Sequence, residues 1–290
     1  MTPTPQRLYA LPMSRFLEAP SSWLSRAALR QGISTDELLD FFGINATDGI
    51  DIDVAIAHLD HAWLYKTCGL PPTLLMPSIR ILRNLLIAKC EPKRFLMSNR
   101  QQPVFRFCPQ CLEDQETAYY PIHWRFAAFR FCPQHDCMLE ERCPKCDAQI
   151  FGSVNLMQAG PGRQGIAFLW KCSICGADLR KAPVIRQSEV FKLTGQLEHQ
   201  LMRNGRATLA ALYVGDVYLR TEPAYVYELR KIQQLDLMGL IPNAKDWYPL
   251  DLLKKRVADR IKRRAKERAR DADRMASGEI GPSSPLSEDP

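Results

Sequence analysis

Four short knuckles of metal-ligand residues, set along the stretch from Phe107 to Leu179, restrict what this chain can fold into more than any other feature. They are Cys108-Pro-Gln-Cys111, Cys132-Pro-Gln-His135, Cys143-Pro-Lys-Cys146 and Cys172-Ser-Ile-Cys175. Seven thiols and one imidazole complete two tetrahedral shells, and Zn2+ is the ion that suits thiolate and imidazole donors. The stretch is expected to be two tandem structural zinc fingers holding two Zn2+ ions, which replace a hydrophobic core too small to stand alone.

Spacing allows two ligand pairings. Neighbours taken in order give Cys108, Cys111, Cys132 and His135 for one site, and Cys143, Cys146, Cys172 and Cys175 for the other. This sequential pairing is preferred. The short gap between His135 and Cys143 also permits a cross-brace, in which the first knuckle pairs with the third and the second with the fourth. Cys137 and His123 are reserve ligands. A thioredoxin-like redox site uses one CxxC at a helix start, so four knuckles in tandem favour coordination. Catalytic zinc keeps an open position for water, whereas both quartets here are filled by protein, so no enzymatic activity is expected.

The ten cysteines fit a reducing compartment. No apolar run reaches the ~20 residues that cross a bilayer, and the amino terminus lacks a basic-then-apolar signal pattern, so a cytoplasmic protein with no membrane contact is expected. The formal net charge of +7 is unevenly spread. Residues 254–274 hold eleven basic and four acidic residues, a surplus of seven, and the residues after Arg274 carry minus three, which leaves +3 for residues 1–253. Lys254, Lys255, Arg256, Arg260, Lys262, Arg263 and Arg264 therefore mark a basic helix, suited to a phosphate backbone or simply solvated, with Val257, Ile261, Ala265 and Ala269 as a thin apolar stripe.

The remainder reads as mainly helical. Pro3, Pro5, Pro12 and Pro20 keep the first twenty residues extended. Ser21 or Ser22 is expected to cap a helix through Gln31, and Ser34 with Glu37 forms a capping box for a second. The pair has a helix-turn-helix outline, but Asp36, Glu37 and Asp40 give the second helix the wrong sign for DNA, so scaffolding or a protein partner is the better reading. One further helix is expected over residues 51–68 and another from Ile79 to Ala88, with short strands before the first, second and fourth knuckles. A Gly-rich excursion follows at residues 152–165. Beyond the knuckles, a helix from Ser188 is expected to stop at Asn204-Gly205, and another to start near Thr221 and run through Leu235. The predicted fold is mainly α with small zinc-ribbon-like β modules. Its divisions are a helical domain over residues 1–103, the zinc-finger region over 104–182, a second helical domain over 183–253, the basic helix over 254–274 and a disordered tail over 275–290.

The runs Phe107-Cys-Pro-Gln-Cys-Leu, Tyr119-Tyr-Pro-Ile-His-Trp-Arg, Phe131-Cys-Pro-Gln-His and Arg142-Cys-Pro-Lys-Cys resemble the TniQ family, including its larger relative TnsD. Pro12, Glu18, residues 21–29 and residues 32–39 resemble that family's opening helices, so the resemblance covers roughly residues 8–180. It implies a bacterial target-selection adaptor of transposition. Such a protein connects a target-recognising element to the AAA+ regulator TnsC and so to the transposase. In CRISPR-associated transposons that element is Cascade or a single inactive effector with its guide RNA; in TnsD-like proteins it is the protein itself reading target DNA. No long carboxy-terminal extension of the TnsD kind is expected, which favours the RNA-guided or non-sequence-specific adaptor, and a homodimer is an expectation from Cascade-bound relatives.

Overall fold

The computed structural model describes residues 8, 10–45, 50–71, 73–88, 92–100, 102–157, 168–194, 196–219, 225–228 and 250–276. It is mainly helical, with a small antiparallel sheet and two four-residue Cys/His clusters. No helix among the described residues is long and apolar enough to cross a membrane.

The first helix, α1 (Pro20–Gln31), is capped differently from the expectation. Ala19 is its N-cap, without a side-chain bond, and Pro20 takes the first helical position, where a missing N–H is no loss. The serines make tertiary contacts instead. Ser22 Oγ accepts the Tyr120 N–H at 2.9 Å, and Ser25 Oγ donates to the Gly152 carbonyl at 2.9 Å while accepting the Val154 N–H at 2.8 Å. Gly32, left-handed at φ 70°, closes the helix. Helix α2 (Thr35–Phe41) carries the expected capping box, with Ser34 and Glu37 bonded reciprocally. Its Leu38 and Leu39 are buried, while Asp36, Glu37 and Asp40 face solvent.

Residues 51–68 form two helices, α3 (Ile52–His58) and α4 (His61–Cys68), rather than one. Leu59 turns to ψ 149°, and the Asp60 carboxylate accepts the Ala62 N–H at 2.8 Å, so an N-cap interrupts an apolar period that runs on without a break. Arg83 of α5 (Met76–Ile87) donates to the Ala57 carbonyl at 2.8 Å, satisfying the end of α3. After α6 (Pro92–Phe95), β1 (Ser98–Asn99) and β2 (Gln102–Phe105) pair antiparallel, and β2 pairs again with β3 (Ile150–Phe151). Thus the strand expected before the first knuckle forms. Before the second and fourth knuckles only single bridges form, Phe131 with Met138 and Lys171 with Asp178.

Helix α7 (Pro109–Asp114) opens on the first knuckle, and α8 (Gln187–Thr194) follows the fourth. Helix α9 (Gln196–Val214) runs straight through Gly205, where an end was expected. The glycine is there for packing: a Cβ would sit 2.6 Å from the Ala128 carbonyl oxygen and 2.9 Å from its Cβ. Gly205→Ala should therefore overpack this contact and destabilise the fold by about 1–3 kcal/mol, visible in denaturant unfolding. Tyr225–Glu228, expected as helix, is strand β5 and pairs with β4 (Asp216–Leu219) in a two-stranded sheet. The alternation Tyr-Val-Tyr outweighs the helix-start signal of Pro223. Helix α10 (Leu250–Ala276) contains the basic segment. The Gly160-Pro-Gly-Arg loop and residues 277–290 lie outside the described residues.

One core cluster joins these parts. It contains Trp23, Leu24, Leu38, Ile56, Leu82 and Leu85 from the opening helices, Cys108, Cys132, Cys143 and Cys172 from the knuckles, and Leu212 from α9. A second cluster packs Val257 of α10 against Phe131, Met138, Val190 and Met202. The helical part and the knuckles are also clamped by buried charge. Arg125 lies fully buried between Asp51, at 2.5 Å, and Asp53, at 2.5 Å, and it donates to the Met97 carbonyl at 3.1 Å. Arg130 pairs with Glu198 of α9 at 2.7 Å, both side chains almost wholly enclosed.

Candidate metal centres

Three of the four knuckles share one backbone turn. Cys132, Cys143 and Cys172 each donate their N–H to the carbonyl five residues on, that of Cys137, Ala148 and Ala177, at 2.8, 2.9 and 2.9 Å. The residue four positions on returns its N–H to the cysteine carbonyl: Asp136 at 3.0 Å, Asp147 at 2.9 Å and Gly176 at 2.9 Å. Those three residues are left-handed, with φ of 47°, 58° and 71°, a conformation that Gly and, less readily, Asp can adopt. The first knuckle departs from the pattern. Cys108 is the N-cap of α7, its sulfur accepting the Cys111 N–H at 3.4 Å, and Pro109 starts the helix. The residue after each knuckle marks the difference: Asp136, Asp147 and Gly176 turn, whereas Leu112 continues a helix and is buried.

These turns gather the donors into two tetrads, Cys108, Cys111, Cys132 and His135, and Cys143, Cys146, Cys172 and Cys175, with the ligand atoms of each within 4.8 Å of one another. This is the sequential grouping; the cross-brace is not formed. In the first tetrad, Cys111 Sγ lies 3.4 Å from Cys132 Sγ and 3.2 Å from His135 Nδ1, and Cys108 Sγ lies 3.5 Å from the same nitrogen. In the second, Cys143 Sγ is 3.6 Å from Cys175 Sγ, and Cys146 Sγ is 3.7 Å from Cys172 Sγ. A tetrahedron with bonds of about 2.3 Å to sulfur has edges near 3.7 Å, so the donor sets have the size a metal ion requires. Hydrogen bonds from Cys108 and Cys111 hold the Cys132 thiol well below the usual thiol range, and the hydrogen bond with Cys111 lowers Cys108 to about 7.

The two tetrads differ in access. Cys108 and Cys132 are buried and Cys111 is half-buried, whereas in the second tetrad Cys146 is exposed and Cys175 half-buried. Of the reserve ligands, Cys137 is fully buried with its sulfur 3.5 Å from that of Cys108. His123 is in neither tetrad. It packs edge-on against Phe129 at 4.7 Å, and desolvation pushes it down to about 4, so it is neutral near pH 7.

Sequence reasoning missed Asp114. Its carboxylate bonds His135 Nε2 at 2.8 Å, leaving Nδ1 for the tetrad. A carboxylate on the distal nitrogen fixes the tautomer and strengthens the imidazole as a donor. The signal was present: Asp114 stands three residues after Cys111, one helical turn along α7, on the side that faces the second knuckle. Asp114→Ala should weaken metal affinity at the first tetrad about 10–100-fold in a chelator competition while leaving the second tetrad unchanged.

The basic helix divides by direction. Arg260 donates to the Lys192 carbonyl of α8 at 3.0 Å, and Arg264 meets Glu189 at 3.4 Å, so these two turn inward. Lys255, Arg256, Lys262 and Arg263 are exposed. The Lys254 side chain lies outside the described residues. Val257 and not the whole stripe is buried, since Ile261 is 49% exposed.

Residues 15–139 match the TniQ family model, a stretch that takes in the opening helices and the whole first tetrad and ends short of the second. No curated protein matches the chain.

Proposed function

We propose that this chain is a transposition target-selection adaptor in which two structural Zn2+ ions hold the middle of the protein rigid. The observation that carries the reading is the TniQ domain over residues 15–139, built around a tetrad that its own buried core encloses. Zinc fits both tetrads by spacing and by donor chemistry, three thiolates with one imidazole in the first and four thiolates in the second. A bound ion supplies crosslinks between distant knuckles, and its ligand shells leave no position for substrate. The chain's own residues do the rest: Asp114 orients His135, and Arg125 and Arg130 lock the helices on either side onto the knuckles.

In this role the chain links an RNA-guided CRISPR effector, Cascade or a single effector with its guide RNA, to a TnsC-type AAA+ ATPase and so to the transposase at the target DNA. It performs no catalysis itself. The acidic exposed face of α2, with Asp36, Glu37 and Asp40, suits a protein partner better than phosphates. The exposed cations of α10, Lys255, Arg256, Lys262 and Arg263, suit a nucleic-acid backbone in the same assembly. A homodimer is compatible with bridging two such partners.

The same helix supports the second reading, a TnsD-like protein that recognises its target site alone. Two measurements separate them. An adaptor co-purifies with the effector complex and binds DNA weakly, with steep salt dependence and no preferred sequence. An autonomous reader prefers one sequence at nanomolar concentration in physiological salt and keeps it against competitor DNA. Absence of effector binding together with such a preference would reject the adaptor reading in favour of the second.

A further inference from the structure

The second tetrad carries an aromatic pair at its surface, Trp170 half-buried against the core and Phe168 exposed. In the run Phe168-Leu169-Trp170, Leu169 is 2% exposed and belongs to the core, as do Leu179 and Ala182. Phe168 and Trp170, two residues apart, stack on one another with ring centroids 4.3 Å apart and planes 11° from parallel. Phe168 is nevertheless 45% exposed, and the guanidinium of Arg180 lies 4.5 Å from the Trp170 ring centroid. Ile174, at the tip of the fourth knuckle, is 55% exposed.

The pair is held in place before anything binds. Leu179 donates its N–H to the Trp170 carbonyl at 2.8 Å, Tyr120 donates its hydroxyl to the Leu169 carbonyl, and Asp178 fixes Arg180 at 2.8 Å. The charge around it is mostly positive, with the exposed Glu113 of α7 the carboxylate that faces Arg180 from the neighbouring helix. Among the described residues from 141 to 181, each carboxylate is already paired: Glu141 with Arg106 at 2.8 Å, Asp147 with Arg142 at 3.4 Å, and Asp178 with Arg180. Lys145, Lys171 and Lys181 have no carboxylate partner among the described residues.

We propose that the Phe168–Trp170 stack with Lys145, Lys171 and Lys181 is a binding platform for an unpaired polynucleotide strand, one base stacking on Phe168 while the lysines meet its phosphates. Rigid aromatic faces beside unpaired cations complement a chain of π faces and negative charges, and stacking tolerates any base sequence. An acidic peptide would match the lysines but leave the ring face without a counterpart. The platform is separate from α10 and does not depend on the adaptor role.

The test uses the zinc-loaded full chain and fluorescein-labelled oligo(dT) and oligo(U) of about 15 nucleotides, with a duplex of the same length as control, all read by fluorescence anisotropy. Phe168→Ala should weaken binding of unpaired strands about 5- to 100-fold while duplex affinity stays within about twofold. Phe168→Leu, which keeps an apolar contact with Trp170 but removes the π face, should weaken it as well. Changing Lys145, Lys171 and Lys181 together to alanine should flatten the salt dependence of strand binding by about two units of slope. The oligo(dT) and oligo(U) arms show whether DNA or RNA is the preferred strand. Unchanged strand affinity in both Phe168 variants, equal losses on strand and duplex, or no strand binding by the wild type would each overturn the proposal.

Discussion

Cys132→Ser should leave the chain with one zinc equivalent in place of two and without cooperative unfolding of its core. The Cys132 sulfur lies 3.4 Å from that of Cys111 and 3.6 Å from His135 Nδ1, so its loss opens the shell of the first tetrad. Structural zinc contributes roughly 10–16 kcal/mol of apparent binding energy in small finger peptides, which is as large as the whole stability of an ordinary domain. The damage should not stay local, because Cys108 and Cys132 belong to the same buried cluster as Trp23, Leu38 and Leu82. Metal analysis and near-ultraviolet circular dichroism check this outcome. Two retained equivalents and an unchanged melting curve would exclude Cys132 as a ligand on which the fold depends. Chelator should strip the wild type in two steps, the second tetrad first, since Cys146 is exposed and Cys175 half-buried.

The other large effect is expected at Arg125. Its guanidinium is the counter-charge of Asp51 and of the fully buried Asp53, so Arg125→Ala leaves an uncompensated charge inside the joint between α3 and the knuckles. Breaking such a pair by removing one partner costs about 3–5 kcal/mol. The pH dependence of the variant identifies the cause. Burial already pushes the Asp53 carboxyl up, and Arg125 pulls it back down. Without Arg125 the folded-state pKa rises further above the unfolded value, so the folded state binds the extra proton and stability falls as pH rises through that range. Arg125→Ala should therefore recover part of its lost stability, relative to the wild type, as pH falls from neutral toward the ordinary carboxylate range. Adding Asp53→Asn to the variant should remove that recovery.

The two tetrads were legible because ligand chemistry is written in spacing. Two closed quartets follow from eight donors, and the preferred sequential grouping is the one the knuckle turns produce. The capping box at Ser34 and Glu37 was legible for the same reason, since both partners are local. What was not legible depended on distant neighbours. Gly205 reads as a helix end until Ala128 is known to press against it. Ser22 reads as a cap until Tyr120 claims its hydroxyl. At Asp60 a cap interrupts an apolar period that predicts one helix, and at Tyr225–Glu228 strand pairing with Asp216–Leu219 overrides a proline that suits a helix start. Asp114 was overlooked because it supports a ligand and is not one.

The proposed adaptor role is tested most directly by titrating the zinc-loaded chain with an ATP-bound TnsC-type ATPase and measuring the complex by mass photometry. A defined complex that forms with ATP, weakens with ADP and is lost in Cys132→Ser is the predicted result. No complex under any nucleotide condition, with both tetrads filled and the protein folded, would contradict it.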